Sequence, residues 1–167
     1  EAAKILSDRA EEYFANRREM RVDVDNQVVV WQWDPAAKQC LARRFPADIA
    51  SVVIAARLAR EAAAVAPDDQ TIRQLWLLTM LEAAAYANGL DKPLAMEPGG
   101  PASRAAEFGV DVVQTILDRA MATGHMPAAA AAARILGRVG TAEKVLAGAA
   151  EPLPLVRAVR SSDRRLR

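Results

Sequence analysis

The spacing of apolar residues changes along the chain from a helical period to a strand-like period and back. Apolar side chains that recur every three or four positions are typical of amphipathic helices. This helical spacing runs through residues 3–17, 49–63, 70–88, 110–121 and 127–140. Only residues 20–45 alternate at a period of two, which is typical of strands. The pattern predicts a mainly α-helical chain with one small β-ribbon near its start.

The β-ribbon has two predicted strands, residues 28–33 and 39–45, which are joined by a turn over residues 34–38. Further alternation at residues 22–24 leaves two arrangements open, an antiparallel β-hairpin and a three-stranded meander. A lone hairpin is only marginally stable in water, so we expect the ribbon to pack against an adjoining helix.

Two tryptophans stand two positions apart in the first predicted strand. Trp31 and Trp33 share one face with Val29, because successive side chains of a strand point to opposite faces. Val28 and Val30 lie on the other face. Such a tryptophan pair more often covers an adjoining helix, and we favour that interpretation. The alternative is a partner-binding surface, for which Trp31 and Trp33 are the first candidates.

A segment rich in proline and glycine, residues 90–102, interrupts the helical pattern and favours a loop. We therefore predict a boundary there between an N-terminal part, residues 1–89, and a C-terminal part, residues 103–167. The alternative is one continuous domain in which residues 90–102 form a connecting loop.

The last third of the chain has the pattern of one helical hairpin followed by the start of another. Pro127 opens an alanine-rich helix, Gly140 is placed to end it, and Thr141 opens a second helix. The next junction carries Pro154, Leu155, Ala158, Val159, Asp163, Leu166 and Arg167. These residues resemble the junction between the two helices of a HEAT-type repeat.

The HEAT-type resemblance implies antiparallel helical hairpins stacked as a short α-solenoid. It also implies a noncatalytic scaffold that offers a curved surface to a protein or peptide partner. The helices over residues 49–63 and 70–88 are similar to a TPR-like helical pair, although the full TPR pattern is absent.

The chain stops one turn into a further predicted helix, Arg164 to Arg167. One turn is too short to be stable, because helix nucleation is costly, so we expect the chain to be a fragment of a longer protein. Leu155, Val159 and Leu166 would then be incompletely covered. We expect two copies to be able to pair through this end.

Arginines are concentrated at the C-terminal end, where residues 151–167 hold five arginines and two carboxylates. Arg157, Arg160 and Arg164 are candidate partner contacts, and a nucleic-acid phosphate is one group that they suit. No aromatic residue alternates with them, so a solvated helix face is the favoured interpretation. A nucleic-acid-binding module is the alternative.

Composition adds few constraints on function. The formal net charge of +1 over 167 residues gives no overall attraction to nucleic acid or to an anionic membrane. The single cysteine, Cys40, excludes an internal disulfide and is expected to be a buried thiol. No apolar run approaches the length of a membrane span. These features favour a cytoplasmic location, with a removed signal peptide as the alternative.

The sequence shows no pattern of a catalytic, cofactor-binding or metal-binding site. His125 is the only histidine and follows Gly124 at a predicted helix end, where an exposed imidazole suits the helix dipole. No Cys and His set matches a zinc site, and the glycines do not form a phosphate loop. We therefore predict a noncatalytic chain without cofactor or metal. An enzyme would require folding to gather a carboxylate, such as Asp48 or Glu82, around His125.

Overall fold

A computed structural model describes residues 1–34, 36–140 and 154–163. The described residues are mainly helical and include one two-stranded antiparallel sheet, as the apolar pattern predicts. The elements are α1 (Ala2–Phe14), β1 (Gln27–Asp34), β2 (Gln39–Pro46), α2 (Ala47–Val65), α3 (Gln70–Asn88), α4 (Pro101–Glu107), α5 (Val110–Thr123), α6 (Met126–Val139) and α7 (Pro154–Val159). The chain divides into two compact units, residues 1–72 and residues 73–167.

Helix α1 ends three residues earlier than its apolar spacing predicts. The cause is Asn16, which adopts a left-handed backbone conformation with φ 51°. Asparagine tolerates this conformation at the end of a helix, where the amides that follow donate hydrogen bonds to the last helical carbonyl oxygens. The amide of Arg17 accordingly donates to the carbonyl of Glu12 at 2.9 Å.

Strands β1 and β2 form a hairpin in which Trp31 is opposite Ala42 and Val28 is opposite Phe45. The meander's additional strand at residues 22–24 does not form. Instead, the carboxylate of Asp23 accepts the amides of Asp25 and Gln27 and holds a turn that leads into β1. This turn leaves Val24 fully exposed.

Helix α2 is the centre of the first unit because small residues on it allow close packing on two sides. Those that are buried are Ala50, Ser51, Ala55, Ala59 and Ala62. Ala62 packs with Ala3 of α1, and Ala50 packs with Val28 and Val30 of the hairpin. The hairpin thus obtains the covering helix that an isolated ribbon lacks.

The start of α3 is capped by Asp69, which directly precedes the helix. The carboxylate of Asp69 accepts the amides of Thr71 and Ile72, at 2.9 and 3.1 Å. A capping carboxylate satisfies amides that have no partner inside the helix.

The second unit has a core of leucine, isoleucine, valine and alanine. Helices α5 and α6 form a helical hairpin across the short turn at Gly124, which adopts the left-handed conformation with φ 80°. Small side chains allow the two helices to approach closely, since residues 128–132 are all alanine and all buried. Helix α7 packs against both α5 and α6.

The proline- and glycine-rich segment lies on the second unit. Leu94 and Met96 line a small pocket together with Ala131 and Ile135 of α6. The predicted boundary at residues 90–102 would separate two parts that fold independently, residues 1–89 and 103–167. This boundary stays a prediction.

Two of the predicted segments lie outside the described residues. They are the helix that starts at Thr141 and the turn from Arg164 to Arg167. Within the described ranges, no helix is long and apolar enough to cross a membrane.

Candidate functional site

Strand β1 has one buried face and one exposed face. Val28 and Val30 are only 9% and 4% exposed, because they pack against α2. On the opposite face Trp31 is 60% exposed and Trp33 is 63% exposed. The alternation inferred from the sequence is therefore confirmed, but the expectation that the tryptophans cover a helix is wrong. The valines take that role, since the small residues of α2 accept their compact side chains.

The tryptophans belong to a larger exposed surface on the hairpin. Residues directly opposite each other in a sheet share a face, so the register assigns Cys40, Ala42 and Arg44 to the same side. We call this surface the aromatic face; it consists of Val29, Trp31, Trp33, Cys40, Ala42 and Arg44. The prediction that Cys40 is a buried thiol is wrong, because its position opposite Trp33 places it on this exposed face.

One arginine belongs to the aromatic face, and a second binds the strand that carries the tryptophans. The guanidinium of Arg57 on α2 donates to the carbonyl oxygen of Trp31 at 2.9 Å. Arg44 lies opposite Val29, 66% exposed, and its guanidinium is 3.7 Å from the carboxylate of Asp23. An exposed pair at this distance contributes little to stability, so Arg44 stays available for other contacts.

The single carboxylate of the hairpin serves the turn. Asp34 accepts the amides of Ala37 and Ala36, at 3.0 and 2.9 Å. These bonds, that of Ala37 first, hold the pKa of Asp34 below its usual value, because they stabilise the charged form. Asp34 therefore stays ionised while its Oδ1 atom is engaged locally.

The second unit contains a buried pair of titratable side chains. Nδ1 of His125 lies 3.1 Å from both carboxylate oxygens of Glu82. The geometry of a hydrogen bond is met at Oε1, and Oε2 has no hydrogen-bond partner among the described residues. The side chains of His125 and Glu82 are 15% and 4% exposed. His125 is thus not the exposed imidazole that its place at a helix end predicts.

The Glu82–His125 pair joins α3 to the turn between α5 and α6. A carboxylate that orients an imidazole is a component of acid–base sites, and an enzyme was expected to require a carboxylate such as Asp48 or Glu82 around His125. A second role is structural, because burial of a carboxylate is costly unless a partner compensates it. The low exposure of both side chains favours the structural role.

Among residues 1–34, 36–140 and 154–163, no group of three or more His, Cys, Asp or Glu side chains could hold a metal ion.

Two of the candidate C-terminal arginines, Arg157 and Arg160, lie in the described residues. Arg157 on α7 forms an ion pair and a hydrogen bond with Asp118 of α5. Arg160 is exposed, and Arg164 lies outside the described residues. Val159, on the same short helix, is 64% exposed. The nucleic-acid alternative for these arginines stays a prediction.

Comparison of the chain with protein-family models, with curated proteins and with solved structures finds no match. The HEAT-type resemblance therefore stays a prediction.

The buried environment of His125 was not predicted, although the position of Glu82 in the sequence indicates that a buried partner is needed. Glu82 stands among apolar residues in the middle of α3, where an unpaired carboxylate is unfavourable. A buried glutamate requires a partner, and His125 is the only imidazole in the chain.

Proposed function

We propose that the chain is a noncatalytic module that binds a protein or peptide through the aromatic face of its hairpin. The observation that carries this proposal is the exposure of Trp31 and Trp33 to 60% and 63%. Tryptophan is enriched at the energetic centres of protein interfaces, because its large ring system buries much apolar area on binding. Single exposed apolar side chains are ordinary, whereas an adjacent pair on a rigid strand favours recognition.

The rigidity of the hairpin supports the same proposal. Val28 and Val30 fix β1 against α2, and Arg57 ties the strand to that helix through the Trp31 carbonyl. A contact surface that is already ordered loses less conformational entropy on binding. The backbone that carries the tryptophans is therefore prepared for a partner.

The helical part of the proposal is a short solenoid of HEAT type that acts as a scaffold for the hairpin. The α5–α6 hairpin and the packing of α7 against it support this proposal, since stacked helix pairs define such repeats.

A binding experiment with a matched control tests the function. Peptides selected from a displayed random library against the wild-type protein would be titrated against Trp31→Ala/Trp33→Ala and against Val65→Ala. Val65 is a suitable control because it is also in the first unit and 58% exposed, but lies at the end of α2.

We expect the double variant to weaken binding by about 30-fold or more, as loss of an interface tryptophan does. The control should bind like the wild type. Equal binding by all three proteins, or no selected peptide at all, would contradict the proposal.

A further inference from the structure

We propose that the hairpin accepts an extended, acidic segment of a partner protein as a third strand along the outer edge of β2. The outer edge is the side of β2 that faces away from β1. This inference rests on the proposed function of the aromatic face, and it adds the chemistry of the partner and the way in which it binds.

Hydrogen bonds at the start of β1 identify which backbone groups point outward. The amide of Gln27 donates to the carboxylate of Asp23, and the carbonyl of Gln27 accepts the amide of Asp23. Gln27 is opposite Pro46, which has no amide hydrogen. These two residues are therefore not a hydrogen-bonded pair of the ladder.

Hydrogen-bonded and non-hydrogen-bonded pairs alternate along an antiparallel ladder. Val29, Trp31 and Trp33 consequently direct their amides and carbonyls away from β2. Their partners on β2, at positions 44, 42 and 40, direct theirs away from β1. The outer edge of β2 is thus formed by Cys40, Ala42 and Arg44.

The outer edge of β1 is already occupied in part. Both backbone groups of Gln27 are bonded to Asp23, and the carbonyl of Trp31 accepts a hydrogen bond from Arg57. An added strand would have to break these contacts. Addition at β1 is therefore disfavoured.

The outer edge of β2 has no such protection. Cys40, Ala42 and Arg44 are exposed. Within the described part of the chain, no hydrogen bond engages their outward backbone groups. An exposed strand edge of this kind is a template for a further strand.

The added strand would also reach the tryptophans. Strands in a sheet are about 4.8 Å apart, so its backbone would lie about 10 Å from β1. Ala42 and Cys40 stand between the two strands on the aromatic face, opposite Trp31 and Trp33. Both side chains are small, so side chains of the added strand can extend across them to the indole rings.

Charge determines which kind of strand fits. Residues 39–46 contain Arg43 and Arg44 and no carboxylate, and Lys38 precedes them. Asp34 interacts electrostatically with Arg43, and the carboxylate of Asp23 lies 3.7 Å from Arg44. These two carboxylates offset two of the three positive charges, so this edge keeps a net positive charge. Pairing of β2 with β2 of a second copy would bring two positively charged strands together, which is unfavourable. A segment rich in glutamate or aspartate compensates this charge.

The test uses the full chain and a set of short peptides with blocked ends. The first peptide alternates valine with glutamate, and the second replaces each glutamate with lysine. A third keeps the glutamates but replaces alternate valines with proline, which cannot donate to a ladder. Oligothymidylate is the nucleic-acid probe. Titration gives the affinities, and amide hydrogen exchange identifies the contacted edge.

We expect the glutamate peptide to bind, and to bind more weakly as salt is added. The proline peptide should lose about tenfold in affinity, because it lacks ladder hydrogen bonds. In the free protein the amides of Cys40, Ala42 and Arg44 should exchange faster than those of Leu41 and Arg43. The glutamate peptide should slow the exchange of the Ala42 amide.

Two variants locate the site. Ala42→Pro removes an outward amide without removing a ladder bond to β1, and it should weaken binding of the glutamate peptide about tenfold. Arg43→Glu/Arg44→Glu keeps every backbone group and should reverse the preference from the glutamate to the lysine peptide. This second variant keeps the test decisive if Ala42→Pro perturbs the hairpin.

The outcomes separate this inference from the proposed function. Strand addition by an acidic segment would be overturned if the glutamate and lysine peptides bound with equal affinity. It would also be overturned if the proline peptide bound as tightly as the glutamate peptide. Tighter binding of oligothymidylate than of any peptide would do the same. If Trp31→Ala/Trp33→Ala still impairs binding of library-selected peptides in those cases, the proposed function stands without the inference.

Discussion

The hairpin exposes two tryptophans to solvent, whereas the second unit buries a carboxylate and an imidazole. In the hairpin, most of the apolar surface of Trp31 and Trp33 stays exposed after folding. In the second unit, folding removes the polar groups of Glu82 and His125 from water, and their contact with each other must offset that cost. Folding stability should therefore depend strongly on the buried pair and weakly on the tryptophans. Binding should depend on the tryptophans.

The largest stability effect is expected at the buried pair. His125→Ala leaves the carboxylate of Glu82 buried without its imidazole partner, which should lower the free energy of unfolding by about 3 kcal/mol. Denaturant unfolding at neutral pH measures this change. The control is Glu82→Leu/His125→Leu, which removes both polar groups and should recover most of the loss. A double variant that is as unstable as His125→Ala would show that the imidazole acts through other contacts.

A smaller effect is expected from the two faces of β1. Val30→Ala removes buried methyl groups and should cost about 2 kcal/mol, while Trp31→Ala should change stability by less than about 0.5 kcal/mol. The same unfolding experiment compares the two variants. A greater loss from Trp31→Ala than from Val30→Ala would mean that the indole, and not the valine, faces the core.

Loss of the α3 cap is expected to lower the free energy of unfolding by less than the Val30 substitution does. Asp69→Ala should lower the free energy of unfolding by about 1 kcal/mol, because two amides of the first helical turn lose their acceptor. Asp68→Ala is the matched control, since the neighbouring Asp68 is exposed and should leave stability nearly unchanged. Equal losses from both variants would contradict the assignment of the cap to Asp69.

The smallest effect is expected at the hairpin turn and depends on pH. The pKa of Asp34 is lowered by the amides of Ala37 and Ala36, so its ionised form stabilises the folded state. This contribution is present above the pKa of the unfolded chain and is lost as the pH falls through the folded pKa. Asp34→Asn should therefore lower Tm slightly at neutral pH and leave it unchanged in acid. A larger difference in acid than at neutral pH would contradict this sign.

Periodicity predicted the elements well because it reports which side of a segment is buried. The alternation at Val28 to Trp33 predicted the strand and its two faces, and the apolar stripes predicted the five longer helices, α1, α2, α3, α5 and α6. The choice between the two faces of β1 was wrong, because both faces are apolar. That choice depends on the small side chains of α2, which a strand pattern does not contain.

The candidate sites were less predictable, since they depend on residues that are far apart in sequence. Nothing local to His125 indicates Glu82, which lies 43 positions away. The outer edge of β2 depends on hydrogen bonds of Gln27 with Asp23, which also fix the start of β1. Sequence predicted Trp31 and Trp33 as candidate contacts because their residue type and spacing are local features.

The accessibility of Trp31 and Trp33 in solution tests the central claim most directly. The measurement is quenching of tryptophan fluorescence by acrylamide in Trp76→Phe, which leaves Trp31 and Trp33 as the only indoles. We predict quenching close to that of free tryptophan, and protection when a selected peptide is added. Indoles that are shielded in the free protein would contradict an exposed aromatic face.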